Sequence, residues 1–349
     1  MGFFMQHDLL IVGFGLAGWA LTEVLKQEGK SFVVFDAENK SSSSVATGIY
    51  NPVVLKRFTA VSNAQELMNF SIPYYSNKAN GNFQHPMSIY RVFAKAAEQN
   101  IWTEALDKPA LSSYLSGDIH KHTLNNIASP HGCGEVLHTG RIDTNGILTY
   151  SRKKLTQNNS FHQEQFDYDA LKIANDRVVY KQWNARHIVF AEGVGIKHNP
   201  WFATLPIVPN KGEWIEVLCK GLELSKIVKG SVFFVPLGND RYRVGATYAR
   251  TFESLAPTTE NKVWLMNQFK KYINVPFEVL FHNAGLRPTV PDRRPIVGRH
   301  PQFSSLSCIN GLGSRGVLWA PYLASLLVKH LYANALLPDE LHLRRFMYP

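Results

Sequence analysis

Three cysteines in 349 residues, Cys133, Cys219 and Cys308, lie far apart with no CxxC, so neither a disulfide framework nor a thiolate zinc site is indicated. The thirteen histidines contain no HExxH, His120 and His122 form an isolated pair, and no metal is expected. Long hydrophobic runs are missing as well. The most apolar stretch near the C-terminus, residues 317–328, is short and holds Pro321. At the other end, MGFFMQHDLLIVGFG is interrupted by Asp8 and offers no cleavage site, and Gln6 stands where N-myristoylation needs Ser or Thr. These absences predict a cytoplasmic protein with no membrane partner. Carboxylates are outnumbered, 27 Asp and Glu against 37 Lys and Arg, and a net charge of +10 favours anionic partners. The longest basic run is Arg152-Lys153-Lys154, so the charge permits an RNA substrate without requiring one.

What is present starts with DLLIVGFGLAGWALTEVLKQEGKSFVVFD, residues 8–36. The apolar residues 9–12 have the length of a buried parallel strand. Gly13, Gly15 and Gly18 follow as GxGxxG: a tight turn, close approach to a pyrophosphate, and close packing of helix on strand. Leu21, Val24 and Leu25 recur at helical spacing from Leu16, Gly29 ends the helix, and residues 32–35 form a second strand. That strand delivers Asp36, placed to accept hydrogen bonds from the hydroxyls of an adenosine ribose. The motif predicts a dinucleotide but does not separate NAD from FAD.

Beyond Asp36 a polar loop is expected over residues 38–44, and SVATGIYNP continues as loop. Residues 62–65, SNAQ, read as a capping box before a helix kinked at Pro73. From about Met87 the texture turns β-like, with a helix capped by residues 143–145 and running through Leu155. Strands are expected in HQEQFDYD, RVVYKQ, HIVFAEG, GEWIEVL, SVFFVPLG and RYRVGATYA, with Gly238-Asn239-Asp240 as a hairpin turn. An amphipathic helix is expected over residues 258–272. Near the end, Gly311, Gly313 and Gly316 form another GxGxxG between strand and helix, with too little chain left for a second nucleotide-binding unit. The helix N-terminus there would face a group that becomes negative, such as a reduced flavin, or else is a glycine-rich helix start with no ligand.

These segments resemble the D-amino acid oxidase and glycine oxidase family of FAD-dependent oxidoreductases, over nearly the whole chain. The carriers are GFGLAG with Asp36, VATGIYNP, HIVFAEGVG, VGATY, GLRPTVPDRRPIVGRHP and GLGSRG. GLGSRG and VGATYAR are similar to the FAD domain of the bacterial bifunctional enzyme that makes 5-methylaminomethyl-2-thiouridine in tRNA; no segment of these 349 residues resembles the methyltransferase half of that enzyme.

The resemblance implies an α/β architecture: a Rossmann-like FAD-binding domain (1–84, 141–205 and 284–349) interleaved with a β-rich, α+β substrate domain (85–140 and 206–283). It implies a cofactor site of Gly13, Phe14, Gly15, Leu16, Ala17 and Gly18, with Asp36 at the ribose. Thr47 and Gly48 would lie along the flavin, Phe166 by its backbone near the adenine, Gly193 beside the cofactor, and Gly313, Ser314, Arg315 and Gly316 at the pyrimidine end. Arg287 would clamp a substrate carboxylate, for which a planar guanidinium fork is suited, or else pair structurally with an acid such as Asp292. Tyr248 is a second candidate for the substrate pocket, or an ordinary tyrosine. Gly285 stands where sarcosine-oxidase-like members carry a flavin-linking Cys, so FAD would be non-covalent. The implied reaction is oxidation of a C–N bond of an amino acid or N-substituted glycine, hydride passing to flavin N5 before imine hydrolysis. Alternatives are the same chemistry on carboxymethylaminomethyl-uridine of tRNA, an NAD-linked dehydrogenase, or a flavin-binding protein without turnover.

Overall fold

The computed structural model describes residues 5–37, 41–76, 81–121, 126–174 and 176–347. In chain order the elements that build the site are β1 (Met5–Val12), α1 (Leu16–Gln27), β2 (Phe32–Asp36), α2 (Ser42–Val45), α3 (Ala64–Tyr75) and β3 (Ile89–Val92). There follow α4 (Thr144–Gln157), β4 (Phe161–Gln163), β5 (Trp183–Phe190), β6 (Val208–Leu218), β7 (Ile227–Lys229) and β8 (Phe233–Gly238). The last are β9 (Arg241–Gly245), α5 (Thr259–Lys270), β10 (Glu278–Thr289), β11 (Leu306–Asn310) and α6 (Gly316–Ala333).

One sheet is parallel through β4, β2, β1, β5 and β11. Leu9, Leu10 and Ile11 are fully buried in it, as an unbroken apolar run requires when both faces of a strand are covered. Gly29 adopts φ +62 and closes α1, so β2 pairs in register with β1, Leu9 beside Phe32 and Val12 beside Phe35. Helices α1 and α6 share a core with Trp19, Leu323 and Leu327. Two buried hydroxyls of α3 fix where α6 begins: Tyr75 donates to the carbonyl of Val317 (2.8 Å) and Ser71 to that of Leu318 (2.6 Å).

The other large sheet runs β10-β6-β9-β8-β7-β3 and continues through two further strands. Side chains alternate along each strand, so register decides what each face carries. Ile215, Val217, Phe234 and Val244 bury against Leu265 and Phe269 of α5. The opposite face carries Trp214, Arg243, Gly245, Phe233, Lys229 and Arg91 in facing register. The Asn239-Asp240 turn joins β8 to β9 with both residues at positive φ, the backbone a two-residue hairpin needs. Behind the sheet, the fully buried Glu213 accepts from Lys211 (3.0 Å), Asn261 (2.8 Å) and the amide of Thr258 (2.9 Å), while Lys211 also donates to Ala256 (2.6 Å). That network ties residues 256–258 to β6.

Several local expectations are corrected. The stretch expected as loop before residue 45 contains α2, a one-turn helix with a reciprocal Ser41–Ser44 capping box; three serines in a row give a flexible reading only until one of them caps. Residues 38–40 lie outside the described residues, as does His122. The capping box expected at residues 62–65 does not form, because Asn63 is left-handed (φ 55) and no side chain caps α3. In HQEQFDYD only the first two residues are strand, and Tyr168–Ala170 is a 3-10 turn. Asp143, by contrast, caps α4 through the Gly146 amide, and Thr258 caps α5. Among the described residues no helix is long and apolar enough to cross a membrane, and no group of three or more His, Cys, Asp or Glu could hold a metal.

Glu213→Ala would leave Lys211 buried without its carboxylate. We expect a loss of about 3–5 kcal/mol, read as a lower urea midpoint at unchanged m-value; a shift below about 1 kcal/mol would contradict the role given to this pair.

Candidate active site

The C-terminal ends of the parallel strands and the polar face of the second sheet enclose one cavity of about 1570 Å³. Drug-sized pockets span roughly 300–1,000 Å³, so this one has room for more than a small ligand. Every residue proposed from sequence except Gly18 lines it. Gly18 serves the packing instead: a Cβ there would stand 2.0 Å from the carbonyl oxygen of Gly13, so only glycine lets α1 sit down on the turn. Gly13 itself is at φ +94 and its amide donates to Phe35 (2.8 Å).

Helix α1 starts at this turn with no side-chain cap. Its first-turn amides have no intrahelical acceptors and face the cavity, the arrangement that takes a phosphate. Ser43 of α2 reaches back to accept from the Leu16 amide (3.0 Å). Asp36 accepts from the Phe14 amide (3.0 Å) and from Arg152 (3.3 Å), whose guanidinium rests over Phe14 and Phe161. Arg152 and the serines escaped sequence reading, because a short basic run and a serine run give no positional signal. The Phe166 ring is buried, stacked on Tyr180 at 4.1 Å, with residues 164–166 on the cavity wall. Glu192, just past β5, accepts from Tyr168 (2.5 Å) and Asn199 (2.9 Å); burial pushes its pKa up, opposed by these two donors.

Farther along, Gly48 is at φ +75, and a Cβ there would meet the Ile142 carbonyl oxygen at 1.9 Å, so Thr47 and Gly48 are held close against β-structure behind them. Gly193 (φ +55) is tied through its carbonyl to Asn310 (2.8 Å), joining the ends of β5 and β11. Gly313 (φ +56) donates to Pro288 (2.9 Å). Ser314 and Arg315 follow, and α6 begins at Gly316 without a side-chain cap, beside Leu16 of α1. Two helix N-termini therefore border one cavity, that of α6 uncapped and that of α1 with its Leu16 amide taken by Ser43.

Arg287 lies on the cavity face of β10. Its Nη1 donates to Asn210 Oδ1 (3.0 Å) and to the Thr247 carbonyl (3.3 Å), and its Cζ stands 4.2 Å from the centre of the Tyr248 ring. Gly212, two residues along β6 from the Asn210 that pairs with Arg287, makes this possible, since a Cβ there would fall 2.2 Å from Nη2. Burial pulls the Arg287 pKa down, with Tyr248 opposing. The structural pairing weighed for it does not form: Asp292 pairs with Arg345 (3.1 Å). Tyr248 is 65% exposed and stands at the rim, a platform for Arg287 more than a buried wall. Arg243, also missed, lies 3.9 Å over the Trp214 ring and donates to Ala46 (3.0 Å); burial pulls its pKa down to about 10, with Glu216 opposing. Gly285 backs onto Val45, and the three cysteines are buried away from the cavity.

Residues 8–330 match the family described as FAD dependent oxidoreductase. The chain belongs to that family. It is 22% identical over 352 residues, 93% of this chain and 55% of the relative, to the tRNA 5-methylaminomethyl-2-thiouridine biosynthesis bifunctional protein of Marinobacter nauticus. It is 29% identical over 165 residues, 45% of this chain and 44% of the relative, to the glycine oxidase of Bacillus subtilis. The chain thus spans about half the length of the curated relatives it matches. The crystal structure of glycine oxidase from Geobacillus kaustophilus superposes with a TM-score of 0.79 at 17% identity, covering 95% of this chain and 96% of that one, which establishes the shared fold.

The residues present fit the family's cofactor: glycines where side chains would collide, two helix N-termini at the cavity, and a carboxylate at the end of β2. Asp36→Ala is expected to weaken FAD retention about tenfold, ~1.4 kcal/mol, read as flavin appearing in the dialysate. Unchanged retention would remove Asp36 from the nucleotide site.

Proposed function

We propose that this protein oxidises the carbon next to an amine in a glycine-like group, either a free amino acid or an N-substituted glycine. The observation that carries this reading is Arg287: a half-buried guanidinium on the cavity wall with no ion-pair partner among the described residues, held by Asn210 and the Thr247 carbonyl and backed by Tyr248. A carboxylate is the ligand such a planar fork matches.

FAD would be held non-covalently by the GxGxxG turn, Asp36 and the residues around Gly48, Gly193 and Gly313, and when bound would supply the two-electron acceptor. The chain's own residues do the rest. Arg287 takes the carboxylate and so fixes where the neighbouring carbon and amine stand, the kind of positioning that lowers a barrier without acid or base work. Trp214 and the sheet form the wall over the site. The uncapped start of α6 favours negative charge accumulating beside it.

A second reading places the same glycine-like group on a tRNA uridine. It is supported by the relative named for tRNA thiouridine biosynthesis, whose match runs through nearly all of this chain, and by the cationic wall of the cavity described below. An NAD-linked dehydrogenase is disfavoured, since it gives no use to the Gly313–Gly316 segment.

Arg287→Ala should slow anaerobic bleaching of the flavin's visible band by glycine or sarcosine by roughly 30-fold or more, the loss of about 2–5 kcal/mol that follows removal of one partner from a desolvated charge pair. Arg287→Lys should recover part of it. Equal rates in wild type and Arg287→Ala would sink the carboxylate reading.

A further inference from the structure

The cavity is electrically polarised. Three carboxylates line it, Asp36, Glu164 and Glu192, and all three stand at ends of the parallel sheet. Six Lys and Arg side chains line it, Lys56, Arg91, Lys229, Arg243, Arg287 and Arg315, and none comes from that sheet. Arg287 accounts for one anionic group of a glycine-like ligand. It does not account for the far end of the wall, where β7 and β3 run side by side with Lys229 opposite Arg91.

Lys229 is the telling residue there. Arg91 has a carboxylate partner in Glu98 (3.2 Å), and Arg243 lies 3.9 Å from Glu216. Lys229 has none among the described residues; it donates to the carbonyls of Gly230 (2.9 Å) and Ser231 (2.8 Å). An ammonium has three donors, so one remains for the cavity. Burial, with Arg91 beside it, pulls the Lys229 pKa down to about 8. A half-buried cation with no counter-charge is a standing electrostatic penalty that an arriving anion relieves. Phe233 borders the same place, with the Lys229 ammonium 5.1 Å from its ring centre, so a cation and an aromatic face are offered together. Ser231 and the exposed Lys56 complete the rim.

The position gives the length of what would bind. Four strand spacings of about 4.8 Å separate β10 from β7, so the Cα atoms of Arg287 and Lys229 stand on the order of 20 Å apart. A free amino acid cannot touch both.

We propose that Lys229, with Arg91 and Phe233, forms a second recognition site in the cavity, for a phosphate-like anionic group carried by the same substrate whose carboxylate Arg287 takes. It rests on the Arg287 reading for the near end only. The site favours an extended substrate whose amine-bearing tail is joined to an anionic body, a class that includes phosphorylated small molecules and nucleic-acid strands.

The test is equilibrium binding to the FAD-loaded protein, using a fluorescent short oligouridylate by anisotropy and inorganic tripolyphosphate as competitor. Lys229→Met should weaken the oligouridylate about tenfold and reduce the slope of log K against log salt by about 1. Lys229→Arg should retain binding, and Lys270→Met, a charge loss on exposed α5, should not alter it. Competition by tripolyphosphate at concentrations comparable with the oligouridylate supports the site with a small phosphorylated substrate; a strong advantage for the oligouridylate supports it with a nucleic-acid one. Equal affinities for wild type and Lys229→Met would overturn the proposal. Failure of the Arg287 reading shows separately, as a sarcosine-induced flavin spectral change that Arg287→Ala leaves unmoved.

Discussion

The close approach of α1 to the turn that precedes it is the constraint on which the rest depends. With no side chain at Gly18, the helix rests on the Gly13 carbonyl, and its free amides are delivered to the cavity at the end of the parallel sheet. Helix α6 packs along α1 and is fixed at its start by Tyr75 and Ser71, so its own N-terminus opens beside Leu16. The contact at Gly18 and the two hydroxyls of α3 together bring two positive helix ends to one wall, and the dipoles make that wall suited to phosphate and to accumulating negative charge.

Opposite stands a sheet sorted by alternation. Its apolar face is closed by α5, and its polar face becomes the cavity roof, with glycine at 212 so that Arg287 can lie flat across it. The division of charge follows from this architecture. Carboxylates arrive at ends of the parallel strands, where a ribose or adenine would need acceptors, and four of the six cations, Arg91, Lys229, Arg243 and Arg287, arrive on the roof, where an acidic substrate would sit. The buried Lys211–Glu213 pair behind the roof holds residues 256–258, while backbone bonds from Thr247 to Glu213 and between Ala249 and Lys211 fix Tyr248 between them.

Much of this was legible in the sequence because it rests on local rules. GxGxxG between strand and helix, the glycine ending α1, the Asp143 cap and the two-residue Asn239-Asp240 turn each state their geometry in a few adjacent residues. Alternation in GEWIEVL announced a two-faced strand. What was not legible depends on which distant segments meet. Nothing near Arg152 says that it will reach Asp36, a serine run does not reveal that Ser41 caps and Ser43 bonds Leu16, and Asn63 looks like part of a capping box until its backbone turns left-handed. Lys229 and Arg91 are 138 positions apart and become neighbours only through a parallel pairing between β7 and β3. Asp292 lies only five residues from Arg287, yet the chain turns it toward Arg345.

The most direct measurement is a crystal structure of the FAD-loaded protein with methoxyacetate, a carboxylate that has no amine to oxidise. The expected result is the carboxylate in two-pronged contact with the Arg287 guanidinium over the flavin, with the adenosine ribose at Asp36. A carboxylate bound elsewhere, with Arg287 still engaged only by Asn210 and Thr247, would contradict the role given to Arg287.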